Sequence, residues 1–265
     1  MGEDDMELGL RGRKALITGA SRGIGRACAE VLASEGCDVT IVSRTQADLD
    51  AAKDKILGQS NVAVRAYAMD LSDSKNVDML AAECPDIDIL INNAGAIPRG
   101  TVAEIDEARW REAWDLKVFG YINMTRRFYA LMAARKSGVI INIIGAAGDA
   151  VQSSYACGSA GNASLMAFSR ALGGTAPNDG LRVVGLNPGP VETDRMVTRL
   201  RREATAKFGD PERWRELTGH MAFGRAATAT EIGNMAAFLA SDLSGYTTGT
   251  IVTVDGGGTS RRSAL

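Results

Sequence analysis

The stretch Lys14-Ala15-Leu16-Ile17-Thr18-Gly19-Ala20-Ser21-Arg22-Gly23-Ile24-Gly25 decides the fold. Residues of strand composition run into a glycine-rich turn, and the turn opens a run of helical period. Glycines at 19, 23 and 25 let the backbone turn tightly and approach a pyrophosphate, whose charge is favoured at a helix N-terminus. A glycine-rich turn alone reflects only geometry, but the strand-turn-helix setting gives it meaning. Gly19, Ser21, Arg22, Gly23, Ile24 and Gly25 are the candidate phosphate cradle.

Outward from this stretch, short apolar runs alternate with longer segments of helical period. DVTIVS, VAVRAYAMD, IDILINNAG, GVIINIIG, LRVVGLNPG and IVTVDGG follow KALIT without a composition break, repeat or low-complexity linker. Parallel strands need crossovers of helix length, so the alternation predicts an α/β fold. The expected architecture is one Rossmann-like, doubly wound parallel sheet of about seven strands with helices on both faces, in a single domain over 1–265. The charged segment 195–222 reads as a helical lid inserted at the rim of the sheet.

The second strand ends in Ser43-Arg44, where an NAD site would place an acidic residue for the ribose 2′-hydroxyl. Arg44 with Arg22 suits the 2′-phosphate instead, so NADP(H) is preferred over NAD(H).

The 265 residues are 45% hydrophobic and 23% charged with a formal net charge of -2, and basic and acidic residues are mixed along the chain. That balance gives no footprint for nucleic acid or an anionic membrane. The acidic N-terminus is unlike a secretory signal, and the apolar run 139–147 is too short to span a bilayer, so the expected location is cytoplasmic. Cys28, Cys37, Cys84 and Cys157 form no CxxC pair and read as packing residues. A single histidine, His220, argues against a Ser-His-Asp triad or a histidine-built metal centre, and no metal is expected.

Four segments together carry a resemblance. The TGxxxGxG turn, Asp70-Leu71 after the third strand, Asn92-Asn93-Ala94-Gly95 after the fourth, and Pro188-Gly189-Pro190-Val191-Glu192-Thr193 resemble, in order and spacing, the short-chain dehydrogenase/reductase family. The similarity runs from about residue 10 to 257. It implies that Asp70 and Leu71 lie at the adenine, that Asn93, Ala94 and Gly95 pack beside the cofactor, and that Pro188, Gly189, Val191 and Thr193 hold the nicotinamide. It also implies a small-molecule substrate and self-association into a homodimer or homotetramer through the C-terminal stretch 241–257.

The same resemblance exposes a departure. The family's chemistry uses serine, tyrosine, lysine and asparagine, the tyrosine as general acid or base. Where it reads INISSxxG, this chain has Ile141-Asn142-Ile143-Ile144-Gly145, with glycine at the serine's place. Thirteen residues on, Gly158 stands for tyrosine, and four further, Asn162 stands for the lysine that binds the nicotinamide ribose. Lys117 replaces the asparagine. A competing register aligns Tyr155 with the tyrosine but needs a deletion and an insertion, and places Ser159 at the lysine. Two consequences are expected: Gly145 and Gly158 enlarge the cavity, and Tyr155 with Lys117 forms a substitute catalytic pair. The implied function is an NADP(H)-dependent oxidoreductase interconverting a carbonyl and an alcohol with a non-standard site. The alternative is a non-catalytic NADP(H)-binding protein.

Overall fold

Alternate residues of each central strand serve two different cores, which is why the strands read as continuous apolar runs. In the computed structural model, which describes residues 7–263, the main sheet is β1 (Lys14–Thr18), β2 (Asp38–Ser43), β3 (Val64–Ala68), β4 (Ile89–Asn92), β5 (Gly138–Ile143), β6 (Leu181–Pro188) and β9 (Ile251–Val254). All pairings are parallel and the order is β3-β2-β1-β4-β5-β6-β9. The seven-stranded doubly wound sheet is therefore present.

Ala15, Ile17, Ile41 and Ile91 point to one core, shared with helices α1 (Gly23–Ser34), α2 (Gln46–Leu57) and α8 (Ala229–Ala240). Leu16, Val42, Leu90 and Ile140 point to the other, shared with α3 (Ser74–Glu83) and α5 (Gly120–Arg135). Cys28 and Cys37 are buried in the first core, and burial pushes both thiols up to about 12, so they pack and do not react. Helix α4 (Glu107–Trp114) continues through a π-helical turn, Asp115–Phe119, into α5. Helix α6 (Ala156–Thr175) follows β5.

Strand order reverses at β1 and β4, so the chain leaves their C-terminal ends in opposite directions and opens a crevice there. A two-stranded parallel ribbon, β7 (Val191–Glu192) and β8 (Ala227–Thr228), brackets the segment between them. That segment contains α7 (Asp194–Phe208) and a 3-10 run, Pro211–Thr218. Met196, Leu200, Ala204, Trp214 and Ala226 give it a small core of its own, so Trp214 is a packing residue.

Candidate active site

A cleft of about 730 Å³ crosses the C-terminal ends of the strands at the crevice. Its walls include Gly19, Ser21, Arg22, Gly23, Ile24, Ser43, Arg44, Leu71, Asn93, Ala94, Gly95, Lys117, Tyr155, Asn162, Pro188, Gly189, Val191 and Thr193. Only Gly25 and Asp70, of the residues expected there, stand off the walls.

Each has a structural reason. A Cβ at Gly25 would run into the carbonyl oxygen of Gly19, so this glycine lets α1 pack against the turn. Asp70 Oδ1 accepts from the backbone and hydroxyl of Ser72 at 3.0 and 2.8 Å, which holds the turn that presents Leu71 and Met69 to the cleft. Asp70, expected at the adenine, thus has one carboxylate oxygen engaged in this turn at the edge of the cleft.

The phosphate end is built from backbone. Gly19 has φ +64°, and a Cβ there would meet Ala94 Cα at 2.8 Å. The side chains of Asp73, Asp106, Thr193 and Thr228 cap α3, α4, α7 and α8, whereas α1 begins at Arg22 with no side-chain cap. Gly23 and Ile24 of its first turn line the cleft, where the positive end of the helix dipole suits an anionic group. Sequence reasoning missed Thr18: its buried hydroxyl accepts from the backbone of Asn93 at 2.9 Å and of Ala94 at 3.0 Å. Asn93 Nδ2 donates back to the carbonyls of Thr18 and Gly19. Together they clamp the ends of β1 and β4. At the outer end Arg22 pairs with Asp48 at 2.6 Å, while Arg44 is exposed with no carboxylate partner among the described residues.

At the inner end Lys117 is buried, and its Nζ donates to Tyr121 Oη at 2.8 Å and to the carbonyl of Ile143 at 2.7 Å. Tyr121 Oη donates to the same carbonyl at 2.8 Å. Two of the three ammonium hydrogens are so used. Burial pulls the Lys117 pKa down to about 7. Gly95 makes room for the stem, since a Cβ there would lie 2.5 Å from Lys117 Cδ. The position of Lys117 in a π-helical turn follows a pattern common at functional sites.

Tyr155 begins α6, and its ring occupies the space where a Gly158 Cβ would be. The enlargement expected from Gly158 is therefore filled by the ring. The hydroxyl has no hydrogen-bond partner among the described residues. Arg99 lies over the ring at 5.1 Å. Burial pushes the Tyr155 pKa up, while Arg195 and Arg99 pull against it. The expected Tyr155/Lys117 pair shares the cleft without a bond: the cations beside Tyr155 are arginines.

Asn162 is 4% exposed, lines the cleft, and its amide has no hydrogen-bond partner among the described residues. Ser159 instead accepts from the backbone of Gln152 at 3.1 Å and is off the wall. Gly145 has φ +129°, a conformation unfavourable for serine, and its Cβ would meet Asn162 Nδ2 at 3.0 Å. A buried chain from Asn92 to Asn142 (2.9 Å) and from Asn142 to Ser169 (2.9 Å) fixes β4, β5 and α6 beneath these groups.

Comparison with known proteins agrees with this fold. A family model described as short chain dehydrogenase matches residues 13–204. The chain is 31% identical over 254 residues to the 3-oxoacyl acyl-carrier-protein reductase of Escherichia coli, covering 94% of this chain and 98% of that protein. It is 34% identical over 256 residues to the galactitol 2-dehydrogenase (L-tagatose-forming) of Cereibacter sphaeroides, covering 94% and 95%. Among solved structures, the L-sorbose reductase of Gluconobacter frateurii complexed with NADPH and L-sorbose superimposes with a TM-score of 0.90 at 29% identity, over 95% of this chain and 98% of that one.

Proposed function

The chain belongs to the short-chain dehydrogenase family, and from that premise we propose that it interconverts a carbonyl and an alcohol with NADP(H), using a proton path centred on Tyr155. The carrying observation is that the Tyr155 ring replaces a side chain at Gly158 and leaves its hydroxyl unbonded on the cleft wall. NADPH-bound and NADP-bound structural relatives support the choice of cofactor.

The residues present fit that group. The uncapped start of α1 and the glycine turn suit the pyrophosphate, and Arg44 suits a 2′-phosphate with Arg22 beside it. Leu71 is placed for the adenine, Asn93, Ala94 and Gly95 flank the middle of the cleft, and Pro188, Gly189, Val191 and Thr193 close the nicotinamide end. When bound, the nicotinamide supplies the hydride.

Asn162 offers its unpaired amide to the ribose or to the reacting oxygen. Tyr155 donates a proton to that oxygen in reduction and accepts it in oxidation. Arg99 and Arg195 stabilise its charged form, as the family's lysine would. Below about pH 7 Lys117 supplies a cation at the floor and keeps one N–H for the ligand.

Tyr155→Phe tests the reading against a panel of carbonyl compounds, with NADPH binding followed by fluorescence. A fall of about 10² to 10⁴ in turnover with unchanged NADPH affinity is expected. NADPH binding without turnover of any panel member by the parent protein would favour a non-catalytic binding protein.

A further inference from the structure

A second cavity, of about 1000 Å³, adjoins the cleft and shares Gly145, Tyr155, Asn162 and Arg195 with it. Its walls hold five arginines, Arg22, Arg99, Arg195, Arg199 and Arg202, against two aspartates, Asp194 and Asp255. The carboxylate of Asp255 is already taken up by Thr259 and the backbone of Gly257.

Arginines on an exposed helix are ordinarily solvated and matched by carboxylates. Three observations set these apart. Arg195, Arg199 and Arg202 occupy positions i, i+4 and i+7 of α7, so one helix face presents them all to the cavity. Arg99 reaches the same space from the loop after β4 and stacks on Tyr155. Arg22 pairs with Asp48 and Arg199 with Glu203, whereas Arg99, Arg195 and Arg202 have no carboxylate partner among the described residues, and Arg195 is steadied by one donated bond to the carbonyl of Ile97 at 2.9 Å. The floor is apolar, formed by Ile144, Ala146, Ala147, Ala150, Met196 and Met221.

We propose that this cavity takes a carbonyl or alcohol compound with an apolar body and an oxyanion, carboxylate or phosphate, which the guanidinium groups of Arg99, Arg195 and Arg202 bind while Tyr155 meets the reacting oxygen; the assignment rests on the oxidoreductase reading above. Guanidinium groups match oxyanions in a planar, two-pronged geometry. The apolar floor takes the body of the substrate, and the excess positive charge disfavours cationic compounds.

The test is calorimetric titration of the NADPH-loaded full chain with octanoate, octyl phosphate and neutral octanamide. Octanoate or octyl phosphate should bind at least tenfold tighter than octanamide, and the tighter of the two identifies the oxyanion. Arg195→Gln with Arg202→Gln should erase that difference. Arg202→Gln alone, at a side chain that lines only this cavity and has no carboxylate partner among the described residues, should reduce it severalfold and leave NADPH affinity unchanged. Equal binding of octanamide and both anions, or no binding of either anion, overturns the proposal. Parallel kinetics with oxo-acids and their methyl esters separate the two readings. Esters reduced as efficiently as acids would sink the oxyanion assignment and leave the oxidoreductase standing. Selective anion binding without any NADPH oxidation would do the reverse.

Discussion

Lys117 is the residue whose environment makes the sharpest demand. Its ammonium is ordinarily half-titrated at 10.5 and is pulled down to about 7 by burial. Between those values the unfolded chain binds a proton that the folded chain lacks, so stability rises with pH across this window. Lys117→Met should raise the melting temperature most below pH 7, and the gain should shrink toward pH 10.5. Differential scanning calorimetry at several pH values checks this; a gain independent of pH would contradict it. The same substitution should remove a kinetic limb near pH 7 from the rate profile, because the cation at the cleft floor no longer titrates. Arg44→Ala should weaken NADPH about tenfold or more and leave NADH unaffected, as expected for one charge-assisted contact to a 2′-phosphate. Fluorescence titration with both nucleotides reads it directly.

Helix α6 shows how glycine at its start is tied to a neighbouring side chain. Gly158→Ala should destabilise the fold, because the new methyl group would displace the Tyr155 ring. In a Tyr155→Ala background the same change should instead stabilise by up to about 1 kcal/mol, the ordinary helix preference for alanine over glycine. Denaturant melts of the four proteins complete the cycle; equal effects in both backgrounds would contradict the packing assigned here. This element also marks the limit of what a sequence reveals. The glycine turn and the strand ends are legible because backbone geometry and local spacing fix them. The seat of Lys117 is not, since it joins a π-helical turn to a strand end 26 residues away. Nor is the hydroxyl of Thr18, which bridges two strands 75 residues apart in sequence.

Across the whole molecule, the C-terminal ends of the strands form the proposed nucleotide site and the 195–222 segment brings three arginines to the second cavity. The arginines of α7 read as a solvated stripe until the fold sets them opposite Arg99. The far edge of the sheet also has a consequence. Strand β9 is a terminal strand of the sheet, and Phe238 of α8 and Leu243 and Tyr246 of the stretch leading to β9 are exposed. Such an edge favours a symmetric partner. Light scattering should give two or four times the 27.9 kDa chain, and Tyr246→Asp with Leu243→Asp should lower the mass; a monomer at micromolar concentration would contradict this.

The most direct test of the account is the rate of NADPH-dependent carbonyl reduction in Tyr155→Phe beside the parent protein, with NADPH affinity measured in both. The account predicts a loss of at least about 10² in kcat/KM at unchanged affinity. Turnover equal to that of the parent would show that the proton comes from elsewhere.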